Sequence, residues 1–260
     1  MRSRQPALLW LPASLGALFF VLPLLGLLLR APWAEFVGEL LSPPVLQALW
    51  LSVRCAALAT LLTFVFGLPL AVWLATAAGP SRTAVRVLVT LPMVLPPVVG
   101  GVALLLAYGR RGLFGQWLDA WFGLVLPFSP VGVVLAATYV AMPFFVLTVE
   151  AGLRSFDHRY ADAAASLGAG PWRVFTRVTL PMIAPSLGAG LVVAFARALG
   201  EFGATITFAG NLAGETRTMP LAVYQALQTD PQGAIVLSVL LVMVAALLLF
   251  LLRRHWLRVA

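Results

Sequence analysis

The chain has 260 residues, 62% of them hydrophobic and 10% charged, with a mean hydropathy of +1.00, a composition that belongs to a membrane protein and excludes an ordinary soluble domain. All 17 basic residues are arginine and the formal net charge is +8; this reads as topology signal, because no basic face with interleaved aromatics marks a nucleic-acid site and no nucleic-acid partner is expected. Without lysine the chain has no P-loop and does not hydrolyse ATP by that route, and its one cysteine, Cys55, excludes an intrachain disulfide or a thiolate metal cluster and reads as a small core residue.

A bilayer core of about 30 Å needs roughly 20 apolar residues in a helix rising about 1.5 Å each. Six runs qualify: 7–29, 46–77, 86–108, 131–149, 187–209 and 234–252. The fold class expected is an all-α membrane protein with six transmembrane helices. The first run follows Arg2 and Arg4 in the manner of a signal peptide, but it is longer than a usual signal core and no small-x-small cleavage site follows, so it reads as a retained helix. With the N-terminus inside, the inner segments hold 11 arginines and the outer loops hold Arg30, Arg110, Arg111 and Arg217, while Arg54 and Arg197 fall within spans. Both termini are therefore expected on the cytoplasmic side.

The third run contains LPMVLPPVVGG (91–101), where Pro92, Pro96 and Pro97 each remove a backbone donor and Gly100 and Gly101 loosen the chain. A kink or break follows. It either lines a water-filled path, where irregular backbone at membrane depth is tolerated, or only shapes packing.

Between the fourth and fifth runs, about 151–183, the chain is too polar for lipid and reads as helix, turn, helix. Ser155 or Asp157 can cap a first helix through Ala161 to Ala165, Gly168 and Gly170 suit a left-handed stop, and Pro171 opens a second helix with Trp172, Phe175 and Val178 on one side. Such a hairpin can insert into a groove on another protein or fold back on its own bundle. DAAASLGAGPWRVFTRVTLP (162–181) resembles the cytoplasmic loop shared by permease subunits of ABC importers. The match runs through Asp162, Ala163, Ala164, Gly168, Val178, Leu180 and Pro181, with Asp162 where that family usually has glutamate and Val178 where it often has isoleucine. The resemblance implies a type I-like bundle whose hairpin docks into an ATPase subunit, which supplies the ATP and Mg that this chain does not handle.

The fifth run holds RALGEFGAT (197–205). On a helix Arg197 and Glu201 pair four residues apart with Thr205 continuing the line, and Ala196, Gly200 and Ala204 form a small-residue stripe for close packing. Ionisable groups within a span usually face a bundle interior or aqueous cavity, so Arg197, Gly200, Glu201, Gly203, Thr205, Pro96, Pro97 and Gly100 are candidates for a translocation path or dimer interface. A purely structural ion pair is the other reading. RALGEFGATITFAGN with LAGETRTMPLAVYQALQ, LPMVLPPVVGG and YGRRGLFGQWL is similar to molybdate permease subunits, and sulfate permeases share a related arginine-to-GEFG core.

The expectation is one permease domain over 1–260 that passes a tetrahedral oxyanion, with Arg197, Arg110, Arg111, Arg217 and free amides near 96–101 as sources of positive potential. The resemblance implies a homodimer with two ATPase subunits and an extracytoplasmic substrate-binding protein, in a bacterial inner membrane. No catalytic residue, metal ligand or resident cofactor is expected. Alternatives are a sulfate or tungstate permease of the same architecture and an ion-driven secondary transporter using Glu201. An intramembrane enzyme pairing Glu201 with His158 or His255 is disfavoured, because both histidines lie on the cytoplasmic side and no HExxH spacing occurs. His255, in the terminal RRHWLR, reads as part of an interfacial anchor.

Overall fold

A computed structural model describes residues 10–256. It is helical throughout, with no strand among the described residues. In chain order the helices are α1 (Trp10–Leu29), α2 (Phe36–Leu40), α3 (Pro43–Thr76), α4 (Pro80–Val94), α5 (Pro97–Tyr108), α6 (Gly115–Phe122), α7 (Pro130–Ser155) and α8 (Arg159–Ser166). There follow α9 (Pro171–Val174), a π-helical turn (Phe175–Thr179), α10 (Leu180–Met182), α11 (Ala184–Leu199), α12 (Gly203–Phe208), α13 (Met219–Thr229) and α14 (Pro231–Trp256). Proline is the first residue of α3, α4, α5, α7, α9 and α14, where its missing donor would be unpaired in any case and its fixed φ suits a helix start. Ser129 adds a side-chain cap to α7, accepting from Gly132 N–H at 3.1 Å.

Among the described residues the six predicted apolar runs fall mostly on helices, two of them interrupted. α1, α3 and α7 are each long and apolar enough to cross a bilayer; α3, at 34 residues, spans about 50 Å and must tilt or project beyond the hydrocarbon. The third run is broken as its prolines indicate: α4 and α5 meet at 120°. The fifth departs from the single helix expected over 187–209. α11 stops at Leu199, residues 200–202 leave the helix, and α12 starts at Gly203, while α11 itself meets the hairpin at 70°. Arg2, Arg4 and Arg258 lie outside the described residues, as do the side chains of Arg253, Arg254 and His255.

The core lies where α3, α7 and α11 pack. Small residues on α3 (Ala56, Ala59, Ala71) and α11 (Ala194, Ala198) let these helices close on the fully buried Phe145 and Val146 of α7, the usual route to tight packing where lipid supplies no competing polarity. Phe145 is held between two glycines: a Cβ at Gly67 would sit 2.9 Å from its ring and one at Gly190 would sit 3.0 Å away. Cys55 is buried in this core, as its sequence context indicates. Away from it, Met219 N–H donates to Ser52 Oγ at 2.6 Å and pins the start of α13 to α3.

This wedge yields a test. Gly190→Leu is expected to overpack the core and lower stability by about 1–3 kcal/mol, and adding Phe145→Leu is expected to recover part of the loss. Thermal unfolding of the solubilised protein reads both changes; a Gly190→Leu protein as stable as the parent would contradict the packing.

Candidate functional site

The two broken runs meet each other. α5 lies against α12 so closely that a Cβ on Gly203 would sit 2.6 Å from Pro97 Cβ, and one on Gly101 would sit 2.6 Å from Thr207 Cβ and 2.9 Å from the Ala204 carbonyl. Only glycine permits this contact between two helix starts. The loosened backbone at 200–202 is covered by protein: Phe202 packs on Tyr224 of α13 with ring centroids 5.1 Å apart, and Glu201 is 2% exposed.

Glu201 makes two contacts that explain the break. Its Oε1 accepts from Ala204 N–H at 2.8 Å, capping the first turn of α12, and its Oε2 lies 2.7 Å from Arg197 Nη1. The expected pair therefore forms, but across the end of α11 rather than along one continuous helix. Thr205 is buried on α12, so the line through Arg197, Glu201 and Thr205 is interrupted, and so is the stripe of Ala196, Gly200 and Ala204. A carboxylate that caps a new helix start competes with helix continuation, and propensity alone does not reveal this. The Arg197 side chain keeps 29% of its surface and lines a cavity of about 110 Å3 with Pro92, Pro96, Pro97, Gly100, Tyr139 and neighbours. Thus the structure gathers Arg197, Gly200, Glu201, Gly203, Pro96, Pro97 and Gly100 in one place.

The other predicted sources of positive potential are mostly engaged. Arg217 donates through Nε to Asn211 Oδ1 at 3.0 Å, and Arg110 pairs with Asp119 at 2.7 Å. The amides of Val99 and Gly100 both donate to the Pro96 carbonyl, so the stretch 96–101 offers fewer free donors than its prolines suggest.

The predicted coupling residues fall into two groups. Asp162, Ala163, Gly168 and Pro181 are exposed and Ala164 half-buried, whereas Val178 and Leu180 pack on the main core. Gly168 has φ +83° and ends α8 as expected, but Gly170 is extended and precedes Pro171. Asp157 takes the near-capping role, accepting from Arg159 N–H; hydrogen bonds from the Arg159 side chain hold its carboxyl below the usual range. Ser155 bonds back to the Gly152 carbonyl instead. The second helix is not regular, for the π turn inserts between α9 and α10. Phe175 and Val178 turn to the bundle while Leu167 and Trp172 stand out, 88% and 76% exposed.

One cluster went unread in the sequence. Glu150, 1% exposed near the end of α7, accepts through Oε1 from Arg154 Nε (3.0 Å) and Arg82 Nη2 (3.2 Å), with Arg86 Nη1 at 3.5 Å. Arg82 also donates to the Leu74 carbonyl in the last turn of α3 at 2.9 Å. One carboxylate so joins α3, α4 and α7 immediately before the hairpin. The i,i+4 spacing of Glu150 with Arg154 was the available signal; the two arginines from α4 were not foreseeable without the fold.

Residues 67–258 match the family described as the binding-protein-dependent transport system inner membrane component. The chain belongs to that family. Among its relatives, the molybdenum transport system permease protein ModB of Mycobacterium tuberculosis is 47% identical over 242 residues, covering 93% of this chain and 91% of that protein. ModB of Escherichia coli (strain K12) is 42% identical over 218 residues, covering 84% and 95%, and the sulfate transport system permease protein CysT of the same strain is 34% identical over 237 residues, covering 90% and 85%. A bacterial ABC transporter for alginate import shares the fold, with TM-score 0.74 at 20% identity over 95% of this chain and 92% of that one. The MetNI methionine ABC transporter does so with TM-score 0.64 at 20% identity, over 85% and 100%. The chain is thus an ABC importer permease, a membrane component and not itself an ATPase.

For the permease, removing Arg197 leaves a buried carboxylate without its counter-charge. Arg197→Gln and Glu201→Gln are each expected to destabilise, and the double variant to recover stability with a coupling of about 0.5–3 kcal/mol. If Arg197 also meets the transported ion, uptake stays low in the double variant although stability returns; recovery of both would reduce the pair to a structural role.

Proposed function

We propose that this chain is the transmembrane permease subunit of an ATP-driven molybdate importer. The observation that carries the reading is the 47% identity to a molybdenum permease over 93% of the chain, against 34% for a sulfate permease. A sulfate or tungstate permease and an ion-driven carrier are correspondingly disfavoured.

In this reading one domain over 1–260 works as a homodimer in the bacterial inner membrane, with both termini in the cytoplasm. Two ATPase subunits lie below and an extracytoplasmic binding protein lies above. The paired breaks form the oxyanion path, and Arg197, Glu201, Pro96, Pro97, Gly100, Gly200, Gly203 and Thr205 line it or hold its shape. Arg197 suits this task because its guanidinium is anchored on one side by Glu201 and open on the other, so it lends positive potential without binding a divalent anion too tightly to release. The exposed part of the hairpin, with Asp162, Ala163, Ala164, Gly168, Leu167 and Trp172, docks the ATPase. Val178, Leu180 and Pro181 form its root, through which ATP-driven movement reaches α11 and the break that follows it.

Labelled molybdate uptake into vesicles holding the permease with its ATPase and binding protein is expected to need ATP and to survive excess sulfate. Uptake abolished by sulfate, or indifferent to ATP, would overturn the assignment. Gly168→Trp adds a side chain into open space at a left-handed position, and is expected to abolish uptake while ATP hydrolysis continues; uptake at the parental rate would count against docking there.

A further inference from the structure

A cavity of about 370 Å3 lies between the ends of α3 and α7 and the root of the hairpin, remote from the breaks. Its rim is cationic, with Arg82 and Arg154, and its walls are largely apolar, including Val72, Leu153 and Phe175. The charge at the rim is unbalanced. Arg82, Arg86 and Arg154 all converge on the single carboxylate of Glu150, so three guanidiniums meet one negative group. Nη1 of Arg82 and both Nη atoms of Arg154 donate to nothing among the described residues. The two side chains are 24% and 41% exposed, so a ligand can reach them from outside.

We propose that this cavity binds the phosphate group of an anionic phospholipid. A surplus of positive charge in a partly desolvated place repels itself and is relieved by an anion. Guanidinium groups pair with phosphate oxygens in a forked geometry, and basic pockets between membrane helices on the cytoplasmic side are recognised headgroup sites. Inorganic phosphate carries the same charge chemistry. The apolar walls decide between the two sources, because an acyl chain gains from contact with Val72, Leu153 and Phe175 and a free ion does not. The bound lipid would touch α3, α7 and, through Ala161, Phe175 and Thr179, the hairpin, bracing it against the bundle.

The full transporter is reconstituted into nanodiscs of phosphatidylcholine with or without phosphatidylglycerol, then released into mild detergent for native mass spectrometry. The expected result is retained phosphatidylglycerol that falls about tenfold in Arg154→Gln, the scale of one charge-assisted hydrogen bond. It also falls in Ala161→Phe, which fills the cavity without removing charge, and persists in Arg110→Gln, whose side chain pairs with Asp119 away from the cavity. Equal retention in all three variants overturns the site. Hydrogen exchange of the unmodified transporter supplies a readout that needs no variant: phosphatidylglycerol is expected to slow exchange over 150–179, and no slowing counts against binding there. Inorganic phosphate producing the same slowing in phosphatidylcholine alone would assign the cavity to a soluble anion and overturn the lipid.

Discussion

In a chain this apolar, backbone can leave the helix only where other protein or water takes up the freed polar groups. Both breaks obey that constraint together, because each is covered by the other. α5 begins at Pro97 against Gly203, and α12 begins at Gly203 with its first turn capped by Glu201. Neither interruption would be tolerable facing lipid alone. Their contact depends on glycine at 101 and 203, where any side chain would push the two helix starts apart.

Charge within the bundle follows a matching rule. The two buried glutamates, Glu201 and Glu150, are both held by arginine, and each sits where a helix changes course. Glu201 holds one arginine at the break after α11; Glu150 gathers three where α7 gives way to the hairpin. Removing one partner of such a pair leaves an uncompensated charge in a poor solvent. These sites therefore fix geometry as well as potential. They also mark the two ends of the route between the hairpin and the breaks: Glu150 ties the hairpin's base to α4, which leads to Pro96, and the hairpin's far root runs through Leu180 into α11, which leads to Arg197 and Glu201.

Much of this was legible from local signals. The proline cluster at 92–97 specified the break between α4 and α5, Gly168 specified the turn in the hairpin, and the i,i+4 spacing of Arg197 and Glu201 specified their pairing. The break after Leu199 was not legible, because GEF is compatible with a continuous helix until the Glu201 carboxylate finds Ala204 N–H and Gly203 finds Pro97. The three-arginine cluster on Glu150 was hidden for the same reason: Arg82 and Arg86 are 68 and 64 residues away in sequence and meet it only after α3, α4 and α7 have packed. The π turn at Phe175–Thr179 left no compositional trace, although it sets which of Trp172, Phe175 and Val178 face the bundle.

In the proposed function the paired breaks form a path, and access to it changes with nucleotide state. Leu95 lines the cavity beside Arg197, so a Leu95→Cys permease in a Cys55→Ala background, assembled with its partners in vesicles, reports on it directly through labelling by a membrane-impermeant thiol reagent. Labelling from one side is expected to differ several-fold between the nucleotide-free and ATP-trapped states and to be slowed by molybdate. Labelling that is the same in both states, in a variant that still transports, would contradict it.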